Sequence, residues 1–112
     1  METVNFSEWQ KIDLRIAKIL DVEEVEDADK LYKISINLGK ELGERTLVAG
    51  LKPHYKIDEL KNKQCIVFTN LEPRKIRGIE SKGMILAIVS EDEKKVRLLT
   101  PDKIIEEGSK IR

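Results

Sequence analysis

Apolar and polar residues alternate strictly in two stretches of the chain. Ile12, Leu14 and Ile16 alternate with Asp13, Arg15 and Ala17, and Ile34, Ile36 and Leu38 alternate with Lys33, Ser35 and Asn37. Period two over runs this short predicts half-buried β-strands, with Asp13, Arg15 and Ala17 on the outer face. The acidic run 23–30 between them reads as a strand end and a loop. Gly39 and Gly43 then suit a hairpin turn leading into a third strand over 45–51. Over 52–63 the strand rhythm breaks. Pro53 interrupts it, Asp58 and Glu59 favour a first helical turn, and Ile57 and Leu60 share a face at i,i+3, which predicts a short helix. Residues 64–71 and 82–90 are continuous apolar runs rich in branched side chains, long enough for strands and short for helices. A further strand follows over 94–100.

Three strands, a short helix and two more strands, without regular helical crossovers, fit a small closed barrel better than a parallel sheet. This is the element order of the five-stranded Greek-key OB (oligonucleotide/oligosaccharide-binding) barrel, an all-β fold with its helix between strands three and four. Here an additional C-terminal strand is appended. No repeat, linker or low-complexity tract divides the chain. It reads as one domain over 1–112, with 1–11 as an N-terminal extension and 12–112 as barrel and C-terminal strand.

Composition narrows the chemistry. Cys65 and His54 are the only cysteine and histidine, which excludes an intrachain disulfide and Cys/His metal motifs. Cys65 lies in an apolar run and reads as a core thiol. The acidic pairs Glu23 with Glu24 and Asp27 with Asp29 read as a solvated loop. No nucleophile accompanies His54, and no glycine-rich phosphate loop is present, so neither catalysis nor a cofactor is expected. With no apolar leader and no run of about 18 apolar residues, the sequence reads as a cytoplasmic chain without a membrane span.

The formal net charge of zero conceals an asymmetry. Residues 1–29 hold nine acids and three bases, whereas residues 30–90 hold twelve bases and six acids. A polyanion responds to the field of a patch rather than to the sum. The densest cationic stretch lies between Pro73 and Gly78, where Arg74, Lys75 and Arg77 fall within four positions. In an OB barrel the loops joining strands one to two and four to five flank one binding face, made by strands two and three. That topology would bring Lys30, in the first loop, and Arg74, Lys75 and Arg77, in a turn of the second, around one groove. Arginine's planar fork and lysine's compact charge both suit phosphate. Aromatic platforms for unstacked bases are scarce, Tyr32 alone standing where one is expected, which favours a structured RNA read by shape and backbone.

Residues 13–39, 45–51 and 70–87, with their Asn-Leu-Glu-Pro-Arg-Lys and Ser-Lys-Gly-Met elements, resemble the tRNA-binding domain family. That family includes free-standing tRNA-binding proteins and the C-terminal appendix of many methionyl-tRNA synthetases. The likeness is greatest to the free-standing homodimeric form described as the β subunit of that synthetase. The resemblance implies an OB fold and sequence-independent binding of tRNA at the outer corner of its L shape. It also implies a homodimer, and a possible partnership with a methionyl-tRNA synthetase catalytic chain. It places Asn70, Pro73, Arg74, Lys75, Arg77, Gly78, Ser81, Gly83 and Met84 on motif positions, and Lys30 on an Asp-Lys-Leu element. Arg74, Lys75, Arg77 and Lys30 are expected to meet phosphate, Asn70 and Ser81 to shape the groove, and Met84 to line it or pack beneath. Lys82 stands where relatives often carry Gln or Glu, and extends the basic patch if it faces the groove. A related branch resembles a peptide-binding secretion chaperone on the same fold, and the basic loop favours tRNA over peptide. The apolar runs 65–68 and 84–89, apolar on both faces, independently favour a homodimer.

Overall fold

The structure, a computed structural model, describes all residues 1–112. The barrel is built around β1 (Leu14–Glu24), which is longer than either of its partners. Its first half, Leu14 to Lys18, pairs antiparallel with β4 (Gln64–Phe68). Its second half, Lys18 to Glu24, pairs antiparallel with β2 (Tyr32–Asn37), with a register shift between Ile19 and Asp21. A shift of this kind bends and twists a strand, so β1 carries the sheet around the core.

β2 pairs in turn with β3 (Glu44–Ala49), and β4 with the short β7 (Met84–Ile85), giving the order β3-β2-β1-β4-β7. Three meandering strands with the fourth returning beside the first form a Greek key. Where β7 approaches β3 the barrel nearly closes: the Lys82 amide donates to the Thr46 carbonyl (3.0 Å) and the Val48 amide to Ser81 Oγ (3.0 Å). This is an OB-type barrel, as the element order predicts.

Ile34, Ile36, Leu47 and Val67 are fully buried within it, and Leu60 of the single-turn helix α3 (Ile57–Leu60) is buried with them. Burying each such side chain contributes roughly 1.5–3 kcal/mol. Cys65 belongs to the same cluster, and burial pushes its thiol up to about 12.

Several elements differ from the sequence reading. The β2–β3 connection contains a single helical turn, α2 (Gly39–Leu42), rather than a plain hairpin turn. The expected helix over 52–63 is helical only at Ile57–Leu60, because Pro53 and the turn after β3 occupy its first half. In the N-terminal extension, α1 (Phe6–Trp9) starts at Asn5, whose side chain accepts from the Glu8 amide. The strand expected over 82–90 is two: β7 stays with β4, while β8 (Ala87–Val89) leaves to pair with β9 (Val96–Leu98).

Arg15 does not face solvent. It is 6% exposed, and Ala17, which shares its face, lies in the core cluster, so the face expected outward turns inward here. Along one edge of β1 the C-terminal arm pairs, the Ile16 amide donating to Ser109 (2.9 Å) and the Ile111 amide to Leu14 (2.9 Å). The arm occupies the edge of β1 that β2 does not reach, which protects it from non-native pairing.

Candidate nucleic-acid interface

Between β4 and β7 the chain leaves the barrel after Thr69 and rejoins it at Lys82. Most of this excursion is a hairpin, β5 (Arg74–Ile76) and β6 (Ile79–Ser81), and not the open turn expected from the sequence. Pro73 and Gly78 explain the difference. Pro73 precedes the first strand, where no ladder donor is needed. Arg77 and Gly78 form the two-residue turn, both at positive φ (52° and 79°), as a type I′ hairpin requires.

The pairing sorts the side chains by face. Ser81 is buried against β3; Ile79 and, across the ladder, Ile76 and Arg74 share its face, the two isoleucines half-buried and Arg74 exposed. Lys75 and Glu80 lie opposite one another on the other face. Arg74, Lys75, Arg77 and Lys82 are all exposed. Six ion pairs form in the molecule, and Lys82 shares one with Glu80 (3.6 Å). Arg74, Lys75, Arg77 and Lys30 take part in none; Lys75 faces Glu80 across the ladder, and Arg74, Arg77 and Lys30 have no ion-pair partner in the chain.

β6 runs antiparallel along β3, which directs the Arg77–Gly78 tip toward the Gly50 end of that strand. Lys30 sits at the same end, where its carbonyl accepts from the Lys52 amide (3.4 Å). The structure thus directs the two predicted loops to one end of the β2–β3 face. Between the hairpin and that face lies a groove of about 470 Å³ lined by Ser35, Glu44, Arg45, Thr46, Glu80 and Lys82, with no apolar side chain. A second groove runs along the start of the excursion, from Thr69 to Pro73, and shares Arg45 and Lys82.

Other predicted residues hold the framework. Asn70 Oδ1 accepts from the Asp13 amide (2.9 Å) and its Nδ2 donates to the Lys11 carbonyl (2.6 Å), tying the excursion to the N-terminal segment. Ser81 Oγ accepts from Val48 and donates to the Gly83 carbonyl (3.2 Å). Gly83 has φ 131°, and a Cβ there would stand 3.0 Å from the Phe68 carbonyl oxygen, so the close approach of β7 to β4 needs glycine. Met84, opposite Phe68, is 41% exposed.

Tyr32 is not a binding-face aromatic. It is buried in the core and donates its hydroxyl to the Tyr55 carbonyl (2.7 Å), because its position in the β2 alternation is an inward one. No three His, Cys, Asp or Glu side chains converge to hold a metal ion.

Two features were missed by sequence reasoning. The first is Arg45, whose only signal was a cation opening an apolar strand. The second is the network beneath the excursion. Thr69 donates through its amide (2.8 Å) and hydroxyl to Asp13, whose carboxylate pairs with Arg15 (2.9 Å), and Arg15 pairs again with Glu41 (2.9 Å). Partial burial pushes the Asp13 carboxyl up, but the Thr69 and Arg15 hydrogen bonds and the Arg15 charge outweigh it and hold the pKa below the usual carboxylate range. Glu41's hydrogen bond pushes Arg15 upward, against burial.

A Greek-key OB barrel with an exposed cationic hairpin beside a polar groove has the fold and charge of a nucleic-acid-binding module. The sequence matches the family described as "Putative tRNA binding domain" over residues 14–110, and the chain belongs to that family. It is 52% identical over 112 residues to methionine–tRNA ligase of Pyrococcus furiosus and 44% identical over 111 residues to that of Caldanaerobacter subterraneus. It spans all of its own length but 15% of the first protein, and 99% of its length but 17% of the second. Among solved structures it superposes on a MetRS-related protein from Pyrococcus horikoshii with a TM-score of 0.92 at 30% identity, covering 100% of both chains. It also superposes on the CsaA chaperone protein from Picrophilus torridus with a TM-score of 0.88 at 34% identity, covering 98% of this chain and 100% of that one.

The Asp13 anchor carries a pH signature. A carboxyl with a depressed folded pKa stabilises the fold above its unfolded value, about 3.9, and loses that contribution as pH falls through the folded value. Asp13→Asn is expected to lower stability at pH 7 by about 2 kcal/mol, through weakened bonds to Thr69 and Arg15. It should also lose less stability than the wild type between about pH 5 and pH 2. Urea unfolding across that range checks both, and parallel pH profiles would contradict the anchor.

Proposed function

We propose that this chain binds folded tRNA as a non-catalytic, trans-acting partner of an aminoacyl-tRNA synthetase, in the manner of a methionyl-tRNA synthetase β subunit. The observation that carries this reading is the β5–β6 hairpin, whose Arg74, Lys75 and Arg77 are exposed beside the polar groove. These three and Lys30 meet phosphate, and Lys82 extends the patch along the groove. Asn70 and Ser81 shape the site through the framework bonds described above, and Met84 borders it. With no aromatic on the outer β2–β3 face, bases have nothing to stack on, so recognition falls to backbone and shape. The outer corner of the L, where backbone is presented on a compact surface, is the matching target. A soluble synthetase partner places the chain in the cytoplasm, and no helix is long and apolar enough to cross a membrane.

The likeness to CsaA favours a second reading, peptide binding on the same face. The groove argues against it, because none of its six lining residues is apolar and peptide side chains would find little to bury against.

The chain acts as a homodimer in this account. Cys65, Val67 and Ile85 of the two apolar runs are buried in the core, while Ile88 and Val89 on β8 are more than half exposed. Ile104 and Ile105 are exposed as well, and Gln64 of β4 donates to the Ile105 carbonyl. A symmetric copy covering this apolar surface would join two cationic hairpins in one assembly.

Replacing Arg74 and Lys75 together by Ala is expected to flatten the plot of log affinity for tRNA against log salt by about 1.4 to 1.8, with the fold intact. An unchanged slope would move the site elsewhere, and peptide binding without tRNA binding would favour the second reading. Light scattering at low micromolar concentration is expected to give twice the 12.9 kDa chain mass. A mass near 12.9 kDa with tRNA affinity intact would rule out the dimer as the binding form.

A further inference from the structure

We propose that Arg45 is the positioning residue of the cationic hairpin, a role that rests on the tRNA-binding reading above. Its guanidinium reaches across from β3, where Nη1 donates to the Thr69 carbonyl (2.7 Å) and to the Lys82 carbonyl (3.3 Å). Those two carbonyls are where the excursion leaves the barrel and where it returns. One nitrogen therefore draws together the two ends of the segment that carries Arg74, Lys75 and Arg77.

The chemistry suits the task. The two hydrogens of a guanidinium nitrogen diverge in a fixed plane, so one atom serves two carbonyls without reorienting, and both bonds are charge-assisted. A lysine ammonium keeps the charge but lacks the planar fork. The need is physical. Three like charges in four residues repel one another, and the excursion has only short strands of its own to resist opening. Arg45 also lines both polar grooves, and a direct phosphate contact from its free edge is the rival role.

Salt dependence separates the two roles. A residue that only contacts phosphate contributes one increment of about 0.7 to 0.9 to the slope of log affinity against log salt. A residue that positions the hairpin removes several increments when lost. Arg45→Met is expected to lower the slope by about 1.4 or more, with barrel unfolding by urea little changed and amide exchange accelerated within residues 74–81. Arg45→Lys, which conserves charge, is expected to lower the slope as well. A loss of one increment or none in Arg45→Met, or a wild-type slope in Arg45→Lys, would overturn the proposal. Should Arg45→Met fail to fold, Arg45→Lys decides the question alone. If the wild-type chain retains no tRNA, the functional reading fails, and hairpin amide exchange in the free variants still tests the pinning.

Discussion

Everything functional in this molecule hangs on how a cationic excursion is fastened at its base. The segment leaves the barrel at Thr69 and returns at Lys82, and hydrogen bonds from opposite sides fix both points. On one side Asp13 holds Thr69, and is itself held by Arg15. On the other, Arg45 bridges the two carbonyls, and β3 accepts from the Lys82 amide and donates from the Val48 amide to the Ser81 hydroxyl. With the base fixed, mutual repulsion among Arg74, Lys75 and Arg77 keeps them extended toward solvent. The bonds between β3 and the Ser81–Lys82 return also bring the barrel nearly closed, so fold and site share part of this set.

The division of labour follows. Polar residues at the foot of the excursion, Asn70 and Ser81, have their hydrogen-bonding groups engaged by the protein, whereas the cations at its middle and tip have none engaged. Glu44 and Glu80 line the adjoining groove with Arg45 and Lys82, and Glu80 pairs with Lys82 there.

Much of this was legible in the sequence. The alternation in 12–17 and 33–38, the apolar runs and the single helix between strands three and four led to the barrel, and the cationic cluster pointed to the candidate site. What was not legible depended on contacts remote in sequence. Alternation assigned Arg15 and Ala17 to solvent because it cannot register which face meets the core; Ala17 lies in the core, and Arg15 on the same face is held by Asp13 and by Glu41, 26 residues away. Tyr32 was placed on the binding face by its neighbourhood in the chain, whereas its position in β2 turns it inward. The hairpin within 74–81 is too short for period-two reasoning, and its turn begins with Arg77, not with the Asn, Asp or Gly that usually marks a type I′ turn. Arg45 is an ordinary arginine until its bond partners, 24 and 37 residues away, are known.

The central claim is that folded tRNA lies against this hairpin and the β2–β3 groove. The most direct measurement is amide hydrogen exchange of the native protein, alone and with folded tRNA, unstructured RNA or duplex DNA of equal length. Protection concentrated in residues 74–82 and the outer β2–β3 face, and greatest with folded tRNA, is the result the account predicts. Protection confined to the N-terminal helix and C-terminal arm, or equal with all three nucleic acids, would contradict it.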